Sequence, residues 1–141
     1  MTFKRLSSSF SASPQLSAAD IASAAEAGFR TIIDYRPDAE DAGQPAAADM
    51  EAIARRHGLA FVHIPVTTAG AIDDSDIARM RATLAESPGP VLGYCRTGTR
   101  AAMMWALSQV GEAPPEALLT AGADAGFDLS AIKSRLAAYP R

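Results

Sequence analysis

Three short, partly β-branched apolar runs each follow a longer stretch rich in Ala, Leu, Met and Ile. The runs are Thr31-Ile32-Ile33, Ala60-Phe61-Val62-His63-Ile64 and Pro90-Val91-Leu92-Gly93-Tyr94. The longer stretches, Ala18 to Ala27, Ala47 to His57 and Asp74 to Ala85, carry apolar residues at three- and four-residue spacing and read as helices. Parallel strands need crossover connections, which are most often helices, so helix-strand alternation leaves few solutions. The expected fold class is α/β: three layers, with a mainly parallel sheet flanked by helices. No internal repeat or long low-complexity tract interrupts the pattern, and residues 1–141 read as one domain.

Boundary residues support this reading. Ser17, with Asp20 three positions on, fits a helix N-cap, and Gly28 and Gly58 fit the turns out of the first two helices. Asp73 or Asp74 can cap the third helix, which Ser87-Pro88-Gly89-Pro90 ends. A fourth helix is expected from Thr99 to Val110, stopping at Gly111, then a short one from Pro114-Pro115 to Ala121, then a last one capped by Asp128 and running to Ala138. The Ser-rich start, residues 1–14 with Phe3 and Phe10, fits either a flexible tail or a short edge hairpin.

Charge removes some functions. Thirteen Lys and Arg against 16 Asp and Glu give a net charge of −3, which builds no broad positive field for nucleic acid. No apolar run approaches the ~20 residues of a membrane helix. Lys4 and Arg5 lead into serines rather than an apolar core, so the start is a poor secretory signal and a cytoplasmic setting is expected. Cys95 is the single cysteine, so no internal disulfide can form, and an acceptor thiol must come from another molecule.

The chemistry concentrates in Val91-Leu92-Gly93-Tyr94-Cys95-Arg96-Thr97-Gly98-Thr99-Arg100: an apolar strand, a polar loop with a glycine, then an Ala- and Met-rich helix. In a parallel sheet, the C-terminal strand ends open into the ligand crevice, which puts Cys95 at that opening. A loop entering a helix aims unpaired backbone N–H groups at one point, and the helix dipole adds positive potential. The same field favours thiolate over thiol at Cys95, and the thiolate is the nucleophile. Gly98 lets the loop curl inward, and Arg100 can grip two oxygens of an anion. Arg96, Thr97, Gly98 and Thr99 form the expected anion cradle. The competing reading, a buried structural Cys95 beside two solvated arginines, leaves the coincidence of strand, cysteine, glycine, arginine and helix unexplained.

Tyr94-Cys95-Arg96-Thr97-Gly98-Thr99-Arg100-Ala101, with Gln15, Gly28-Phe29, Arg36-Pro37-Asp38 and His63-Ile64-Pro65-Val66 upstream, resembles the phosphatase-like domain of the beta-lactamase-hydrolase-like proteins, the DUF442 family. The resemblance covers nearly the whole chain. It implies a cysteine-phosphatase-like fold, in which the loop after the central strand binds the anion and its cysteine attacks. It also implies a bacterial setting with relatives joined to, or encoded beside, sulfide-oxidising enzymes.

Departures from the phosphatase pattern point toward sulfur. Such phosphatases place five residues between cysteine and arginine, whereas Cys95 and Arg100 enclose four, a length that resembles the rhodanese sulfurtransferases. Tyr94 stands where a histidine usually precedes the cysteine, and Ala101 where a serine or threonine usually follows the arginine. Thr67 and Thr68 stand where the general-acid aspartate is expected. Sulfur transfer needs no such acid, because Cys95 leaves as a stabilised thiolate. The leading expectation is therefore a sulfurtransferase that carries sulfane sulfur on Cys95, from thiosulfate or a low-molecular-weight persulfide, with a sulfide-oxidising enzyme as partner. The alternatives are a phosphatase working through a phosphocysteine, with Asp34, Asp73 or Asp74 as acid, and a non-catalytic anion-binding module.

Further residues have two readings each. His63 is a half-buried strand residue or an approach to the site. Arg36 holds the following loop through Asp38 or Glu40, or is a second anion contact. Asp73 and Asp74 read more simply as helix caps. Trp105, Met103, Met104 and Leu107 read as core. No ligand spacing suggests a metal and no glycine pattern a nucleotide loop, so no metal and no cofactor is expected.

Overall fold

The computed structural model describes residues 3–138. Five strands, β1 (Lys4–Arg5), β2 (Phe10–Ser13), β3 (Thr31–Asp34), β4 (Ala60–His63) and β5 (Val91–Tyr94), form one sheet in the order β1-β2-β5-β3-β4. β1 is antiparallel to β2, and every other pairing is parallel. The helices are α1 (Ala18–Glu26), α2 (Ala47–Arg56), α3 (Asp74–Glu86), α4 (Thr99–Ser108), α5 (Pro115–Asp124) and α6 (Lys133–Ala137).

Two apolar clusters make the three layers. Ile21 and Ala24 of α1 and Met50 and Ala54 of α2 pack with Ile32, Phe61 and Leu92 on one face. Ile77 and Met80 of α3, α4 and the C-terminal helices pack with Phe10, Ile33, Val91 and Tyr35 on the other. α4 is buried from Ala101 to Ser108, so the helix that begins at the anion loop is held by core on nearly all sides. Among the described residues, no helix is long and apolar enough to cross a membrane.

The Ser-rich start is a hairpin rather than a tail, and its inner strand β2 lies inside the sheet against β5. The first two residues lie outside the described ones. Small residues make this placement possible: Ser11, Ala12 and Ser13 let α4 approach, and a Cβ on Gly93 would come 2.7 Å from both Phe10 and Tyr35. Phe3 meets Phe29 edge to face at 5.7 Å.

Local caps follow the sequence closely. Ser17 with Asp20 and Asp73 with Asp76 form full capping boxes. α2 has no cap of its own; Asp38, nine residues upstream, accepts from the Ala47 N–H at 2.8 Å. The chain departs from expectation near its end. α4 stops at Ser108, whose hydroxyl turns back onto the Trp105 carbonyl at 2.6 Å, α5 continues to Asp124, and Asp128 opens a 3-10 turn (Ser130–Ile132) before a five-residue α6. Burial of Leu129, Ile132 and Leu136 outweighs continuous helix there.

Candidate active site

β5 delivers Cys95 to the C-terminal edge of the sheet, where the residue is 1% exposed and its backbone N–H bonds the Ser13 carbonyl at 3.3 Å. Gly98 takes φ +97° as the residue before α4, a conformation natural to glycine, and turns its N–H onto Cys95 Sγ at 3.1 Å. Arg96 and Thr97 remain exposed, and Thr97 and Thr99 share a hydroxyl contact of 3.3 Å. The loop therefore presents the Gly98 N–H to the sulfur at the start of α4.

Arg100 sits on the first turn of α4, and it does grip two oxygens, those of Glu40. Its Nη1 lies 2.7 Å from Oε2 and its Nη2 2.8 Å from Oε1, while Nη1 also donates to the Val66 carbonyl at 2.9 Å. Burial pulls the Arg100 guanidinium down, but Glu40 and then Cys95 more than offset it and hold it above its ordinary value. The Glu40 carboxyl is correspondingly held below the usual carboxylate range, chiefly by Arg100.

Arg36 is the other arginine on Glu40. It is buried, and its donors are committed to Glu40 (3.0 Å), Gln15 (2.8 Å) and Asp41 (2.6 Å). Asp41 also lies 3.3 Å from Arg96, so one ion network runs from the loop after β3 to the anion loop. Arg36 thus holds the 37–44 loop through Glu40 and Asp41 rather than through Asp38, which caps α2. Glu40, which the sequence suggests only as a structural partner of Arg36, bridges Arg36 and Arg100.

The acid candidates Asp34 and Asp73 are held in local hydrogen bonds. Asp34 is 1% exposed and accepts the Arg36 N–H at 2.8 Å; burial raises its carboxyl, against that hydrogen bond and the neighbouring His63. His63 Nε2 donates to the Arg36 carbonyl at 2.6 Å and lies 3.8 Å from Asp34, so its ring pins the β3 exit. Asp73 bonds Ser75 and Asp76 as a cap, and Asp74 is the first residue of α3. Tyr94, beside Asp34 across the sheet, is buried with its phenol pushed well up, mainly by burial, and completes no well-formed hydrogen bond.

A mostly parallel sheet whose central strand runs through a buried cysteine into a donor-lined loop, an arginine and a core helix defines a cysteine-phosphatase-like fold. The chain belongs to the family of the phosphatase-like domain of beta-lactamase hydrolase-like proteins, whose pattern matches residues 2–112. It is 40% identical over 107 residues to the beta-lactamase hydrolase-like protein of Xylella fastidiosa, covering 74% of this chain and 25% of that protein. The Agrobacterium fabrum protein of the same name is 35% identical over 115 residues, covering 80% of this chain and 26% of that one. The chain thus spans about a quarter of the length of these curated relatives. Among solved structures, a candidate phosphatase from Neisseria meningitidis superposes with a TM-score of 0.86 at 35% identity, covering 96% of both chains. TpbA from P. aeruginosa, solved in complex with phosphotyrosine, shares the fold at a TM-score of 0.64 and 19% identity over 96% of this chain and 90% of that one.

Proposed function

We propose that the chain is a cysteine-dependent phosphatase acting on small anionic phosphate monoesters, with aryl esters as the preferred class. The observation that carries this reading is the Gly98 N–H placed 3.1 Å from Cys95 Sγ at the head of α4, with Arg100 on the first turn of the same helix. Fixed donors of this kind stabilise a thiolate before the reaction and the equatorial oxygens of a phosphoryl group during it. The likeness to the Neisseria candidate phosphatase supports phosphate over sulfur, and the phosphotyrosine bound by TpbA supports an aryl ester.

In the first step, Cys95 Sγ attacks phosphorus; an S–P bond forms as the P–O bond to the leaving group breaks, and the departing oxygen takes its proton from water. Water then attacks the phosphocysteine, the S–P bond breaks, and inorganic phosphate and the thiolate are returned. Glu40 and Asp41 are committed to arginines, Asp73 to its cap and Asp34 to the Arg36 N–H. With those carboxylates engaged, a phenol, whose pKa is ~10, leaves more readily than an aliphatic alcohol.

Sulfur transfer is the second reading, favoured by the four-residue spacing from Cys95 to Arg100, by Tyr94 and by Ala101. There Cys95 would displace sulfite from thiosulfate, form a persulfide and pass its outer sulfur to a thiol of another molecule. A sulfide-oxidising enzyme would be the natural partner. In a binding module, anion affinity would survive Cys95→Ala with no turnover of any donor.

Phosphate release from p-nitrophenyl phosphate, phosphotyrosine and phosphoserine, by wild type and Cys95→Ser, tests the proposal. Aryl esters turned over faster than phosphoserine, with loss of all turnover in Cys95→Ser, are expected. No phosphate from any ester would overturn it.

A further inference from the structure

We propose that Phe127 is a positioning residue for the anion loop, bracing the Gly98 turn so that its N–H stays on Cys95 Sγ. The kinetic part of this inference rests on the phosphatase reading; the loop geometry does not. Phe127 lies beyond the 2–112 segment that matches the family.

The presentation of the ring is fixed from behind. α5 ends in a Schellman turn: the Phe127 N–H bonds the Gly122 carbonyl at 2.8 Å, the Gly126 N–H bonds Ala123 at 2.9 Å, and Gly126 takes φ +95°. Leu129 then folds back onto Gly122, where an added Cβ would come 2.5 Å from its Cδ1. The chain on both sides of Phe127 is thereby anchored to α5, and the ring direction follows.

The ring meets the loop at its glycine. A Cβ on Gly98 would lie 2.9 Å from Cε1 and 3.1 Å from Cζ of Phe127, and 3.4 Å from the Ser13 carbonyl carbon. The aromatic ring and the end of β2 thus close the space where a side chain on Gly98 would stand. Its loop neighbours Arg96 and Thr97 are exposed, and Arg96 ties to Asp41 and Gln15 rather than to Gly98. A glycine at positive φ has a wide conformational range, so an outside brace decides how constantly its N–H points at the sulfur. Arg135, from α6, reaches the chain beyond Val66 as well, bonding the Ala69 carbonyl at 3.1 Å. The C-terminal segment therefore ties to both the loop of Cys95 and the segment whose carbonyl holds Arg100.

The test compares Phe127→Ala and Phe127→Leu with Met50→Ala, which removes a buried side chain from the core on the other face of the sheet. Orthovanadate affinity, hydrogen exchange of the Gly98 amide and kcat/KM on p-nitrophenyl phosphate are read together. Phe127→Ala is expected to weaken orthovanadate binding about tenfold, short of the full loss of one oxyanion donor, and to speed Gly98 exchange. Phe127→Leu should recover part of both, and Met50→Ala should leave both as in wild type. Wild-type affinity and exchange in Phe127→Ala, or equal changes in Met50→Ala, would overturn the proposal. If Phe127→Ala does not fold, Gly98 exchange in Phe127→Leu against Met50→Ala decides. A wild type that hydrolyses no ester removes the phosphatase reading, while orthovanadate binding and amide exchange still judge Phe127.

Discussion

Arg36 and Arg100 stand just past the ends of neighbouring strands, and both bind the Glu40 carboxylate, yet they do different work. Arg36 is 3% exposed and directs Nε, Nη1 and Nη2 at protein oxygens. Arg100 commits its two terminal nitrogens to Glu40 and Val66, while its Nε takes no protein oxygen among the described residues and the guanidinium neighbours Cys95. The two arginines thus differ in the donors that protein oxygens leave unpaired, not in residue type. Glu40 is the joint between them: it sets the Arg100 plane, and Arg36 sets Glu40.

Substitutions can break that comparison in order of effect. Arg100→Lys keeps the charge but loses the planar fork, and kcat/KM on an aryl phosphate is expected to fall ~10²–10³-fold with little change in unfolding midpoint. Arg36→Ala should show the reverse emphasis. It leaves Asp41, Gln15 and one side of Glu40 without their buried partner, and a loss of ~2–4 kcal/mol in urea unfolding is expected, discounted for the partial exposure of its carboxylates.

Glu40→Gln keeps one acceptor for Arg100 but removes the charge, and about a tenfold fall in kcat/KM is expected, the scale of one weakened charge-assisted contact. Its pH signature follows from the lowered carboxyl: the stabilisation is present above the unfolded value and is lost as pH falls through the folded one. The stability gap between wild type and Glu40→Gln, at most ~1 kcal/mol for so exposed a pair, should therefore close in acid urea titrations. Asp34→Asn is the smallest change. Burial raises Asp34, so its favourable contribution is present below the unfolded carboxylate value and disappears as pH rises through the folded one. Thermal melts should show Asp34→Asn gaining on wild type between acid and neutral pH.

Much of this was legible from local chemistry. The positions of β3, β4, β5 and α1 to α4 follow from apolar spacing, and Ser17, Asp73, Gly28 and Gly58 mark their ends. Cys95, Gly98 and Arg100 stand out as candidates because strand, loop and helix are contiguous in sequence. The sequence leaves β2 open, because Phe10-Ser11-Ala12-Ser13 has weak strand character and its place depends on the room that Gly93 leaves opposite Phe10. The contacts of Glu40 with Arg100 and of Phe127 with the Gly98 turn are not legible for a similar reason: each comes from a remote segment, and no local pattern encodes that meeting. The four-residue spacing points to sulfur and the phosphatase-like relatives point to phosphate, since loop length alone does not fix which anion the donors fit.

The most direct measurement is the intact mass of acid-quenched protein after brief exposure to p-nitrophenyl phosphate or, separately, to thiosulfate, with Cys95→Ser alongside. Gain of one phosphoryl group from the ester, in wild type alone and lost on longer incubation, is the predicted result. Gain of one sulfur atom from thiosulfate, with no phosphoryl adduct and no phosphate released, would contradict the phosphatase account and establish Cys95 as a sulfur carrier.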